Sequence, residues 1–137
     1  MDMLNAQQVQ DLIYQGLPAA SQEGLQIEAV GEQRARLRSP FRPSTLRPGG
    51  SISGPTMMGL ADAAMYAAIL AELGQVEMAV TQNLNINFLS RPAPADLIAE
   101  AVILRLGRRA AVLEVQLFSE GNDEMVAHVT GTYALPH

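Results

Sequence analysis

The sequence predicts an α+β domain in which one long helix is wrapped by an antiparallel sheet. Three observations predict it. The stretch "GPTMMGLADAAMYAAILAEL", Gly54 to Leu73, is apolar almost all the way round, and a helix apolar on every side must be surrounded. Four strand candidates then follow in succession with short turns between them, which implies antiparallel pairing. The 137 residues fit one domain, large enough to bury a core, so positions 1–137 read as a single unit.

Each element has its own signal. "NAQQVQDLIYQGLP" reads as an N-terminal helix within residues 1–18, its stripe formed by Val9, Leu12, Ile13 and Leu17, with Gly16 and Pro18 ending it. "GLQIEAVGEQRARLRSP" alternates by two, as one long strand or a hairpin turning near Gly31. Residues 40–54 carry three prolines and three glycines and read as an irregular loop. The central helix is expected over 55–73, with Pro55 in its first turn and Gly74 at its exit. "AVTQNLNINFL" puts Val80, Leu84, Ile86 and Phe88 on one face and Thr81, Asn83, Asn85 and Asn87 on the other. "LIAEAVILRL" and "AAVLEVQLF" flank a tight turn at Gly107-Arg108, and "MVAHVTGTYAL" follows the turn "EGNDE".

Composition excludes several function classes. With no cysteine, the chain has no disulfide, zinc–thiolate site or thiol nucleophile. A net charge of -5 argues against general nucleic-acid binding. The start lacks a basic n-region and an apolar h-region, and Asp62, Tyr66 and Glu72 interrupt the apolar helix before it reaches a membrane span's length. A cytoplasmic protein without a membrane partner is expected. The two histidines, His128 and the terminal His137, frame neither a Ser-His-Asp triad nor a metal cluster, and His128 on a strand reads as structural. No metal or cofactor is expected. All nine basic residues are arginine, five of them between Arg34 and Arg47. They read as solvated strand faces, with some suited to a phosphate-bearing ligand.

The order of elements and the segment "GPTMMGLAD", Gly54 to Asp62, resemble the hotdog fold, and more closely the PaaI-type acyl-CoA thioesterases of the phenylacetic acid pathway. In that family a loop glycine at the mouth of the central helix precedes a helix acid by eight positions, as Gly54 precedes Asp62. "VTQNLNINFLSRPAPADLIAEA" is also similar, and Thr81 falls where members carry a hydroxyl near the catalytic water. Ser53 and Pro55 stand where members often have histidine and glycine, and Arg47 where they often have asparagine. The resemblance implies an acyl-CoA substrate, and a homodimer that often pairs into a tetramer.

The residues themselves support that chemistry. Thioester hydrolysis needs a base or nucleophile and donors for the developing oxyanion. Asp62 has Met58, Gly59, Met65 and Tyr66 one turn away and no cation, and is expected to act as base or nucleophile. At a helix N-terminus the backbone N–H of Gly54 offers the oxyanion donor, with that of Thr56 as a second candidate, while Pro55 has none. Ser53, Thr56, Met58, Arg91, Arg108 and Arg109 are the substrate-binding candidates, the arginines for coenzyme A phosphates. Eight helical residues separate Gly54 from Asp62 by about 12 Å, so one carbonyl cannot touch both in one chain. A two-fold dimer with antiparallel helices would bring them together. Two other readings compete. A hotdog hydratase would pair its aspartate with a histidine five positions later, where this chain has Ala67. A non-catalytic acyl-CoA-binding module would use the same pocket without turnover.

Overall fold

The computed structural model describes residues 3–74, 76 and 78–136. His137, read as the end of the chain, lies outside them. The elements run α1 (Ala6–Gly16), α2 (Pro18–Glu23), β1 (Gln26–Gly31), β2 (Arg34–Ser39), α3 (Gly54–Leu73), β3 (Val80–Phe88), β4 (Leu97–Leu106), β5 (Ala110–Ser119) and β6 (Met125–Ala134), with one short 3-10 turn at Pro43–Thr45. The six strands form one antiparallel sheet in the order β1-β2-β4-β5-β6-β3. The sheet curves around α3 in the hotdog arrangement.

Local chemistry sets the boundaries. Asn5 opens α1 with a reciprocal capping box: its side chain accepts from the Gln8 N–H, and the Gln8 side chain accepts from the Asn5 N–H. α1 ends at Gly16 as expected, and Pro18 lies beyond it. It is the first residue of α2, a position where its missing N–H costs nothing. The β1–β2 segment resolves as a hairpin, with Glu32 and Gln33 both in the left-handed region. Its strained turn is held from two sides: the Gln33 N–H donates to Glu72, and the Gln33 carbonyl accepts from the Ile103 N–H at a bulge in β4. The loop before α3 is more regular than its prolines and glycines suggest. Leu46 bridges Ile52, and the turn between them places Gly49 and Gly50 at positive φ.

The core lies between α3 and the concave face of the sheet. Met57, Leu60, Ala61, Ala64, Met65, Ala67 and Ala68 are buried on α3, facing inward side chains such as Leu37, Leu113, Val115 and Val129. Gly131 lets the helix sit close: a Cβ there would lie 2.7 Å from the Met65 sulfur and 3.0 Å from the Asn83 carbonyl oxygen. By length and composition α3 does meet the measure of a membrane span, contrary to the sequence expectation, but its burial against the sheet makes it the core helix. It is also not covered on every side. Pro55, Met58 and Gly59 are exposed and Asp62 and Tyr66 half-buried, so a stripe of the N-terminal half faces away from the sheet.

The outer face of the sheet is charged. Arg36 bonds Glu28 and Glu100, and Arg38 bonds Glu28 at 2.6 Å, Asp96 at 3.0 Å and Glu120 at 2.8 Å. These arginines serve carboxylates of neighbouring strands, as the solvated-face reading expects. His128 is likewise structural, 3.0 Å from Glu114 across β5–β6.

Candidate active site

Ser53 caps α3. Its hydroxyl lies 3.4 Å from the Thr56 N–H and 2.8 Å from the Thr56 hydroxyl, while its own N–H donates to the Thr45 carbonyl. The Thr56 N–H, expected as a second oxyanion donor, is therefore taken by the cap. Pro55 has no N–H, and the Met57 N–H already reaches the Ser53 carbonyl at 3.3 Å. Among the described residues the Gly54 N–H has no acceptor. Among the described residues it is the one first-turn backbone donor without an acceptor, at the positive end of the dipole. The Phe88 ring covers Gly54 so closely that a Cβ there would lie 3.2 Å from it. A cavity of about 620 Å³ opens beside Gly54, lined by Arg47, Ser51, Met57, Phe88, Ser90 and Arg91 among others. Arg91 donates one guanidinium N–H to the Gly49 carbonyl, which ties the loop to the end of β3.

Asp62 lies two turns along the same unbroken helix, facing another cavity of about 620 Å³. Leu12, Leu17, Ala63, Tyr66 and Val80 form its apolar walls. Two hydroxyls converge on one carboxylate oxygen. Thr81 donates to Oδ1 at 2.7 Å, and Tyr133 donates to the same atom at 2.7 Å and reaches the Asp62 carbonyl oxygen at 3.1 Å. Both bonds fall on Oδ1, which fixes the carboxylate plane and leaves Oδ2 without a hydrogen-bond partner among the described residues. Burial, and then the carboxylate beside it, push the Tyr133 hydroxyl well above its ordinary pKa, so it stays protonated and donates. Tyr133 also stacks on Tyr66, their ring centres 6.1 Å apart.

The sequence alternation turns Thr81 outward; the structure turns it inward. A bulge at Gln82 makes the difference: Thr81 pairs Tyr133 and Asn83 pairs Thr132, so the extra residue shifts Thr81 onto the helix-facing side. Tyr133 is not among the candidates that the sequence singles out. Its inward parity with Gly131 and Val129 is the available signal, because a tyrosine on a buried face needs a partner for its hydroxyl.

The remaining candidates divide between places. Met58 stands 41% exposed on α3 and lines none of the cavities described here, whereas Met57 lines the Gly54 cavity. Arg108 and Arg109 are exposed in the β4–β5 turn, at the end of the sheet that carries Thr81 and Tyr133. The Arg109 carbonyl accepts from the Leu135 N–H. Arg91 is at the other end, beside Gly54. The cavities of Gly54 and Asp62 share no lining residue. Ala67 is fully buried, so the hydratase position offers no polar group. Among the described residues no group of three His, Asp or Glu side chains is placed to hold a metal ion.

The family model of the thioesterase superfamily matches residues 49–126, more than half of the chain. The chain belongs to the thioesterase superfamily. The matched span runs from the loop before Gly54 to the start of β6 and holds Gly54, Asp62, Thr81 and Arg91. This thioesterase is similar over its whole length to a crystal structure from Silicibacter sp. TM1040 described as a "putative thioesterase", with a TM-score of 0.89 and 35% identity, covering 96% of that chain. A point mutant of the phenylacetic acid degradation protein PaaI from Thermus thermophilus superposes with a TM-score of 0.75 at 26% identity, covering 85% of this chain and 97% of that one. A curated relative from Saccharolobus solfataricus, described as "putative esterase SSO1253", is 27% identical over 112 residues, 82% of this chain and 73% of the relative. The thioesterase is accordingly a thioester hydrolase.

Proposed function

We propose that the protein hydrolyses acyl-CoA thioesters in a site assembled from two copies of the chain. Asp62 serves as general base or nucleophile through Oδ2, and the Gly54 N–H of the second copy receives the oxyanion. An oxygen, from water or from Asp62 itself, bonds to the thioester carbon, the C–S bond breaks, and the sulfur leaves as the coenzyme A thiol once protonated. Where Asp62 attacks first, water then releases the acid.

One observation carries this reading: Gly54 and Asp62 stand eight positions apart on one unbroken helix and open into cavities with no residue in common. A separation of about 12 Å exceeds the reach of one carbonyl. The edge of the sheet supports a dimer. The nine-residue β3 has an unpaired side and neither proline nor lysine, with Val80 57% and Phe88 52% exposed. Two-fold pairing along β3 would set the helices antiparallel and carry the partner's Gly54 end to Asp62. Arg91 of the second copy and the Arg108-Arg109 turn of the first would then flank one site and meet the phosphates of coenzyme A.

Complementation tests this reading. Asp62→Asn chains and Gly54→Val chains should each be inactive, and co-refolded mixtures should recover about one quarter of wild-type activity, because half of the dimers then hold one intact site. Mixtures as inactive as the parents would sink the shared site.

A further inference from the structure

We infer that Phe88 is a positioning residue for the oxyanion, acting through Gly54. This rests on the reading of the Gly54 N–H as the donor to that oxyanion. A Cβ at Gly54 would lie 3.2 Å from Cζ of Phe88, 3.6 Å from Cε1 and 4.0 Å from Cε2. The far edge of the ring thus stands on the side of Gly54 where any other residue would carry its side chain. The amide nitrogen is bonded to the same Cα, so the ring edge and the N–H without an acceptor are neighbours. Both residues line one cavity, from which a carbonyl would meet that N–H.

Strand chemistry puts the ring there. Phe88 closes β3 on the same parity as Leu84 and Ile86, and it pairs Ala127, which is fully buried. The chain just beyond it is pinned. The N–H groups of Leu89 and Ser90 both donate to the Val126 carbonyl, and the Arg91 guanidinium donates to the Gly49 carbonyl. The ring is nevertheless 52% exposed, so much of its apolar surface stays out of the core of its own chain and borders the Gly54 cavity instead.

The contact has two electrostatic consequences. An aromatic ring carries partial positive charge along its edge, and the edge is what Gly54 meets. Negative charge developing on a carbonyl oxygen at the N–H therefore faces the favourable side of the ring quadrupole. The ring also keeps water off one flank of the donor, and a hydrogen bond to an oxyanion is stronger where water is excluded. The oxygen then approaches from the cavity, with the ring as its wall. Glycine at position 54 has a second use in this arrangement: a methyl group there would displace the ring.

The test follows thiol release from acetyl-, hexanoyl- and benzoyl-CoA, using the substrate that wild type turns over fastest. Phe88→Ala should lower kcat by about ten-fold while KM moves by less than about two-fold, because the lost contact acts on the transition state. Phe88→Leu keeps apolar bulk and should restore part of kcat. Phe88→Tyr adds a hydroxyl at Cζ, the ring atom nearest Gly54, and should fall below Phe88→Leu. Gly54→Ala keeps its N–H, but its methyl meets the ring. It should lower kcat by about ten-fold alone and have little further effect in the Phe88→Ala background. Wild-type kcat in Phe88→Ala, or a Gly54→Ala effect of the same size in both backgrounds, would overturn the inference while leaving Gly54 as donor. Absence of hydrolysis of all three substrates by wild type would remove the donor reading and the inference with it.

Discussion

The cavities beside Asp62 and beside Gly54 are built from opposite materials. Around Asp62 the walls are regular elements, α1, α3, β3 and β6, and the polar contacts are hydroxyls; Asp62 is the one charged group among the lining residues. Around Gly54 the wall is largely a loop with two glycines at positive φ, and the charged lining residues are Arg47 and Arg91. The first environment holds a carboxylate still without neutralising it. The second gathers positive charge and a free backbone donor, which suits a polarised carbonyl and its phosphate-bearing carrier. The proposed base and the proposed anion site are thus kept apart within a chain, where direct contact would pair the Asp62 carboxylate with arginine.

The largest expected effect strikes the carboxylate. Asp62→Asn should lower kcat by about 10³-fold or more while acyl-CoA binding by calorimetry persists. Near-normal turnover in that variant would break the contrast between the two cavities. The hydroxyl frame comes next. Tyr133→Phe and Thr81→Val each remove one donor to Oδ1, and each should reduce kcat by about 10- to 100-fold with little change in KM, because the base is misaligned rather than lost. Equal losses in KM would instead indicate that these hydroxyls bind substrate.

Two smaller effects separate structure from chemistry. Gly131→Ala drives a methyl into Met65 and the Asn83 carbonyl, behind the Asp62 wall, and should cost about 1–3 kcal/mol in urea unfolding. Arg38→Met, on the outer face, should cost about 1 kcal/mol and leave kcat unchanged, since it lines neither cavity. Its pH dependence has a definite sign. Hydrogen bonding from Arg38 holds the Glu28 carboxyl below its ordinary value of 4.5. That stabilisation is present above the unfolded value and disappears as pH falls through the lower folded value, so wild type and variant should converge in acid.

Much of the fold was legible because its signals are periodic. The apolarity of the sheet-facing side of Gly54–Leu73 and the alternation of β4 to β6 follow from burial, which composition records directly. Asp62 and Gly54 stand out in the sequence through a spacing that resembles the family's. Thr81 was read onto the wrong face because a bulge adds one residue without any composition mark; Gln82 is unremarkable in sequence. The engaged Thr56 N–H is not legible because a cap depends on rotamer.

The Gln82 bulge acts as a phase shift in a two-beat code. Downstream of it, Leu84 and Ile86 keep time with the core; upstream, the count is advanced by one and Thr81 falls in step with Tyr133. What matters at position 82 is thus the presence of a residue rather than its identity. An arrangement of this kind can be made or unmade by the length of a strand, with every side chain of the candidate site left unchanged.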